Sequence, residues 1–304
     1  MSHPTAETTS PAVVRQVLLD AGEVRLSALL AEPGHGATPR ATVVALHGGG
    51  MRAGYFHAPA DRRLSFLGLA AGLGYRVLAV DRPGYGHSAA VFPEGLPLAD
   101  QCDLLRRALA DRQAGGAADG AGLFLLAHSY GGKAALTLAA DPGGLPLIGA
   151  AVSGIGHRIA TALPAPGTVA WARELGRNNW GPLGLYPPDT FRLAAPLVAP
   201  MPAREAAEVP RWTRALEGLA PRIGIPVRFT FAEHEHRWRH DPEALADLTA
   251  LFRGAPAGAA VSIDGQPGAG HNISLGWAAR PYHLRVLGFL EDCLLRMRTP
   301  AAAA

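Results

Sequence analysis

Leu123-Phe124-Leu125-Leu126-Ala127-His128-Ser129-Tyr130-Gly131-Gly132, followed by Lys133-Ala134-Ala135-Leu136-Thr137-Leu138-Ala139-Ala140, is the stretch whose reading decides the fold. A short apolar run bounded by turn signals predicts a buried strand, and the run after the glycines predicts a helix. A strand that passes into a helix through so short a turn sets Ser129 on a sharp corner above a parallel sheet. Such a corner needs small neighbours, because its backbone is strained and the helix passes close to the strand; Ala127 and Gly131 supply them. The pattern is G-x-S-x-G with Ala for the first glycine, an arrangement that presents a serine nucleophile. The plainer alternative is a serine that only caps the helix.

Upstream, Ala41–Leu46 is a buried-strand pattern that ends in His47-Gly48-Gly49-Gly50. Three glycines in a row expose backbone N–H groups with no side chain in the way. They read either as a flexible loop or as half of an oxyanion hole. Val13–Leu19 and Val24–Ala31 predict an antiparallel hairpin, and Tyr75–Asp81 a further strand leading into Arg82-Pro83-Gly84-Tyr85-Gly86-His87-Ser88. Leu64–Gly72 and Pro97–Gln113 carry helical spacing; Leu145–Ser153, Pro226–Ala232 and Ala259–Ile263 are strand patterns; Pro281–Met297 is a final amphipathic helix. Regular alternation of strands and helices argues for an α/β architecture, a mostly parallel sheet with helices on both faces.

The regularity lapses from 156 to 221, where proline recurs and only short helical pieces appear, such as Thr168–Leu175 and Arg211–Leu219. A segment this long inside a compact domain has a structure and purpose of its own. It is expected to be a cap inserted into a core made of 12–155 and 222–298, with 1–11 and 299–304 as disordered tails.

Composition narrows the partners. The chain has 304 residues, 48% of them hydrophobic, and a formal charge of only +3, from 28 basic and 25 acidic side chains. Arginines are scattered and Lys133 is the single lysine, so nothing marks a nucleic-acid surface. No apolar stretch is long enough for a membrane span, and the polar start lacks the charged-then-apolar layout of a signal peptide, so a cytoplasmic setting is expected. Two distant cysteines, Cys102 and Cys293, lie in helical patterns and read as buried reduced thiols.

A serine hydroxyl needs a base within hydrogen-bond reach to act as a nucleophile at neutral pH. Of the 12 histidines, His271 in Gly268-Ala269-Gly270-His271-Asn272 sits between the last strand and the last helix, after a carboxylate-bearing loop. Ser, then acid, then His is the chain order this architecture uses.

Together His47-Gly48-Gly49-Gly50, Asp81–Ser88, Ala127–Gly132 and Gly270-His271 make the chain resemble the capped serine hydrolases of the α/β-hydrolase superfamily, esterases and lipases among them, from Val13 to Arg298. The resemblance implies that the acid follows the strand Pro226–Ala232. Glu235 then stands where that family usually has Asp, with Glu233 two residues earlier as the alternative; strand alternation would put both on one side. It implies that His271 takes the proton of Ser129, that Glu235 orients the imidazole, and that the N–H groups of Tyr130 and Gly49, with Gly50, hold the oxyanion.

His234-Glu235-His236 with His240-Asp241 is also a possible metal pattern, but the further ligands expected elsewhere are missing, so neither metal nor other cofactor is called for. These histidines are placed at the rim of the pocket. Met51, Trp180, Trp212 and Trp238 are expected to line an apolar pocket, although each tryptophan equally suits the role of anchoring an irregular segment. The expected function is hydrolysis of an ester, lactone or thioester of a largely apolar small molecule through an acyl-enzyme. An acyltransferase or a carbon–carbon bond hydrolase would use the same residues, and a binding protein with little turnover is the reading outside catalysis. The natural substrate and the oligomeric state are not legible.

Overall fold

The computed structural model describes residues 13–116, 119–160 and 168–298. Both tails expected to be disordered lie outside the described residues. Among the described residues eight strands form one sheet: β1 (Val14–Asp20), β2 (Arg25–Ala31), β3 (Thr42–Leu46), β4 (Arg76–Val80), β5 (Leu123–His128), β6 (Leu147–Ser153), β7 (Val227–His234) and β8 (Val261–Gly270), in the spatial order β1-β2-β4-β3-β5-β6-β7-β8. The β1–β2 hairpin joins antiparallel to β4, and every later pairing is parallel. A parallel sheet of this kind needs crossovers that cover both faces, and the helices supply them.

Strand periodicity explains how two cores arise from one sheet. Successive side chains point to opposite faces. Val44, Leu46, Leu78, Val80, Leu123 and Leu125 therefore face one side, where α2 (Leu98–Ala114), α3 (Tyr130–Ala140) and α8 (Pro242–Ala250) pack. Val43, Ala45, Val77, Ala79, Phe124 and Leu126 face the other, against α1 (Phe66–Gly72) and α9 (Ala279–Arg298). Cys102 and Cys293 are free and buried, one in each core. Burial pushes their thiols up to about 12 and about 11, so both remain neutral packing groups at ordinary pH.

Between β6 and β7 the chain leaves the alternation and builds α4 (Val169–Trp180), α5 (Thr190–Leu193), α6 (Ala203–Glu208) and α7 (Trp212–Leu219). Of these, α7 returns to the main body: Trp212, Leu216 and Leu219 recur at helical spacing and are buried in the first core, and α7 contacts α3.

Two elements run further than their patterns suggest. The helix begun near Thr168 continues to Trp180, past Gly176 and two asparagines that weaken the signal. The last strand extends to Gly270 because β7 goes on pairing with it, up to His234 opposite Gly270, although Asp264–Gly268 carries no apolar alternation. Pro267 is tolerated there because β8 lies at the sheet edge. No helix among the described residues is long and apolar enough to cross a membrane.

One contact sets the geometry at the sheet's carboxyl end. The first turn of α3 crosses the end of β3 so closely that a Cβ on Gly131 would lie 2.2 Å from the Leu46 carbonyl oxygen and 2.6 Å from that of His47. Both obstacles are backbone and cannot swing aside. Gly131→Ala is expected to lower the unfolding free energy by about 2–3 kcal/mol in urea titrations. Gly72→Ala, whose new methyl meets nothing within 4 Å, should be neutral or stabilise by up to about 1 kcal/mol.

Candidate functional site

Strand β5 is fully buried up to His128 and delivers Ser129 to the turn before α3. Ser129 adopts φ 51°, and among the described residues it is the single non-glycine with positive φ. A residue held in that region costs about 1–3 kcal/mol and persists only where its surroundings over-determine it. Here the Ser129 N–H donates to the Ser153 carbonyl at 2.8 Å, while its own carbonyl accepts from Gly132 at 2.9 Å. His128 and Tyr130 are buried and Ser129 is partly exposed, so the turn aims the serine outward.

At the end of β8, His271 is buried and its Nδ1 lies 2.7 Å from Oε2 of Glu235. A carboxylate at Nδ1 draws the ring proton there and leaves Nε2 as the free acceptor. The other Glu235 oxygen accepts the Arg237 N–H at 2.9 Å. Burial by itself would raise the Glu235 carboxyl, but the charge and N–H of His271 and the Arg237 N–H hold it below its usual value. His271 is packed edge-on to His128, at 4.7 Å between ring centres, and Tyr55 stacks on His128 at 4.8 Å. Burial keeps His128 far below the usual histidine value, so it is a neutral wall to the imidazole. Gly154 is required here: its φ is +61°, and a Cβ would fall 2.6 Å from His128 and 2.8 Å from His271.

The two candidate acids part company at the end of β7. The register shifts between Ala232 and His234, and the Glu235 N–H turns back to the Ala232 carbonyl at 3.1 Å. Alternation therefore fails, contrary to the sequence expectation that both carboxylates share a side. Glu233 is exposed and accepts the Gly268 N–H at 2.7 Å, whereas Glu235 turns inward to His271.

Facing Ser129 is the Gly48–Met51 loop. A Cβ on Gly48 would lie 3.2 Å from the Ser129 Cβ, which shows how closely the loop passes. Tyr130 is the first residue of α3, where backbone N–H groups lack an intrahelical partner. Gly50 is a different matter: its N–H donates to the Tyr85 hydroxyl at 3.0 Å and is thereby engaged, which removes it from the expected oxyanion donors. Gly49 is held from beneath, a Cβ there falling 2.9 Å from Glu205 and 3.0 Å from Met201.

That support is a buried ionic network the sequence reading did not anticipate. Arg82 and Glu205 are both fully buried and make paired bonds of 2.7 and 2.9 Å. Arg82 also donates to Gln101 and to the His47 carbonyl, and Glu205 accepts from the Tyr85 hydroxyl at 2.8 Å. His47 accepts the Arg82 N–H on Nε2, so its Nδ1 carries the proton and donates to the Gly48 carbonyl at 2.8 Å. Its imidazole is held neutral by burial and by the Arg82 charge. Glu205 belongs to α6, far from Arg82 in sequence, and no local pattern marks the pair.

A cavity of about 370 Å³ opens over these groups. Ser129, His271, Tyr130 and the Gly48–Met51 loop line it, and Met51, Trp180, Val198, Met201 and Trp238 make much of the lining apolar. Trp212 does not line it: the ring is buried in the core and its Nε1 donates to the Gly156 carbonyl at 3.0 Å, because α7 presents that face to α3. From the loop after β7 it is Arg237 and Trp238 that reach the cavity, not His234, His236 or His240; His240 stacks on Phe231 at 5.7 Å instead. Lys133 lines the cavity too. The one signal for it in the sequence is its being the single lysine. Among the described residues no group of three or more His, Cys, Asp or Glu is placed to hold a metal ion.

The sequence matches the family described as "Alpha/beta hydrolase family" over residues 43–292. A search of curated proteins finds no match. Similar solved structures include a lipase in its open form (TM-score 0.63, 17% identity, covering 92% of this chain and 99% of that one). A soluble variant of monoglyceride lipase from Saccharomyces cerevisiae follows at TM-score 0.62 and 16% identity, over 96% of this chain and 99% of that one. 2-Hydroxy-6-oxo-6-phenylhexa-2,4-dienoate hydrolase from Rhodococcus sp. strain RHA1 gives TM-score 0.60 and 16% identity, over 93% and 99%. At these identities the likeness is one of fold.

Removing one partner of a fully buried ion pair leaves an uncompensated charge. Glu205→Ala is expected to cost about 3–5 kcal/mol of unfolding free energy, read as a lower urea midpoint at unchanged slope.

Proposed function

The chain belongs to the α/β hydrolase family, and we propose that within it this protein is a serine hydrolase that cleaves an ester, lactone or thioester through an acyl-enzyme. The observation that carries this reading is the buried Glu235–His271 hydrogen bond of 2.7 Å beside a cavity that His271 shares with Ser129 on its strained turn. His271 Nε2 takes the proton of Ser129 Oγ as the oxygen attacks the carbonyl carbon. Negative charge develops on the carbonyl oxygen and is held by the N–H groups of Tyr130 and Gly49. The imidazolium, stabilised by the Glu235 carboxylate, gives its proton to the leaving oxygen or sulfur as the tetrahedral intermediate collapses. Water then repeats the sequence on the acyl-enzyme, losing a proton to His271 and releasing a carboxylic acid and free Ser129.

Segment 156–221 is the cap in this reading. Trp180, Val198 and Met201 supply apolar surface over the cavity, and α7 is the footing that ties the segment to the core. The Arg82–Glu205 pair joins the segment to the loop that carries Gly49, so the cap and the oxyanion donor are set together.

A fluorophosphonate should add once to the wild-type protein by intact mass, and the adduct should vanish in Ser129→Ala. On an accepted ester, Glu235→Gln is expected to lower kcat by about 10³–10⁴, since the wrong histidine tautomer is then favoured. Glu233→Gln should change it by no more than about twofold. Full labelling of Ser129→Ala, or equal losses in the two glutamine variants, would sink the assignment.

A further inference from the structure

The cavity has a feature that an apolar acyl pocket does not require, two cations set into its wall. Lys133 lies in the first turns of α3, one helical turn beyond Ser129, and is only 3% exposed. Its Nζ is fully buried and has no hydrogen-bond partner among the described residues. Burying an ammonium group without a partner is costly, and a helix N-terminus is the wrong end for a positive charge. The aromatic faces of Tyr130 at 5.0 Å and Trp212 at 5.6 Å offset part of that cost. The carboxylates on neighbouring elements are already committed: Glu205 to Arg82 and Tyr85, and Glu208 to the Tyr130 hydroxyl and the Leu98 N–H. Desolvation, and after it the like charge of Arg237, bring the Lys133 ammonium down to about 7.

Arg237 lines the same cavity, on the loop after β7. One arm of its guanidinium donates to the Asn179 side chain at 3.0 Å, and the charge of the Glu235 carboxylate, itself committed to His271 and the Arg237 N–H, acts on it from the same loop. Two basic groups in the lining of one cavity disfavour each other's charge, and a single anion bound by both would hold Lys133 protonated and make two charge-assisted hydrogen bonds. A monoanionic carboxylate matches the planar guanidinium edge and needs no more donors than these two side chains offer.

We propose that Lys133 and Arg237 form a carboxylate subsite in this cavity, so that the substrate class is an ester or thioester carrying a carboxylate on its acyl chain. The proposal rests on the reading of the cavity as the substrate site. Trp180, Trp238 and Met51 then hold the apolar portion, while the two cations fix how far the carboxylate end reaches past Ser129.

Titration calorimetry on the Ser129→Ala protein tests this without turnover. The ligands are the monobenzyl esters of succinate, glutarate and adipate, each compared with its neutral benzyl methyl diester. At least one monoanion is expected to bind ten times more tightly than its diester. That preference should fall at least fivefold in Lys133→Met and in Arg237→Met, and return in Lys133→Arg. Circular dichroism checks that each variant is folded, and Arg237→Met carries the test by itself if Lys133→Met is not. Equal affinity for all pairs, no binding of any ligand, or a preference that survives the substitutions would overturn the subsite. Failure of the serine mechanism is read separately, by the absence of a fluorophosphonate adduct on the wild-type protein.

Discussion

The crossing of α3 over the end of β3 is the constraint on which the candidate site depends. Gly131 meets the Leu46 and His47 carbonyls where no side chain fits, so the chain must turn between β5 and α3 within one residue. Ser129 absorbs that turn in a conformation that L-residues avoid, and the packing of two buried cores over-determines it. The same crossing brings the Gly48–Met51 loop against Ser129, because that loop is the continuation of β3. The placement of Ser129 and that of the glycine loop thus follow from one close contact.

A second layer of the site is ionic and comes from the segment between β6 and β7. Burying Arg82 and Glu205 together costs desolvation, which their paired bonds, the Tyr85 hydroxyl that donates to Glu205 and the Gln101 side-chain oxygen that accepts from Arg82 counterbalance. A hydrophobic pair of the same volume would pack as well but would leave the His47 carbonyl without its Arg82 donor and the Tyr85 hydroxyl without its Glu205 acceptor. The pair therefore gives the glycine loop one defined path. Tyr85 takes the Gly50 N–H in doing so.

Polarity inside the cavity differs from what composition suggests. Tryptophan and methionine give it apolar walls, yet Lys133 and Arg237 put positive charge among them. Low-dielectric surroundings make such charges selective, since a neutral ligand cannot repay their desolvation and an anion can.

From the sequence alone came the strand–turn–helix at Ser129, the alternation that makes a parallel sheet, the glycine loop, and the position of His271 after the last strand, because each is a local pattern whose period or turn chemistry is written in neighbouring residues. Glu235 and Glu233 were not separable that way: a shift of register in β7 and a turn at Glu235 decide which carboxylate meets the imidazole, and both depend on pairing with β8. Trp212 and Trp180 looked alike as aromatic anchors, and only the face that α7 presents to α3 sends one into the core and leaves the other on the cavity. Gly50 lost its expected role to a tyrosine 35 residues away. Arg82 with Glu205, and Lys133 with Arg237, lie far apart in the chain. A charge's meaning depends on what surrounds it in space, and that the tertiary structure alone decides.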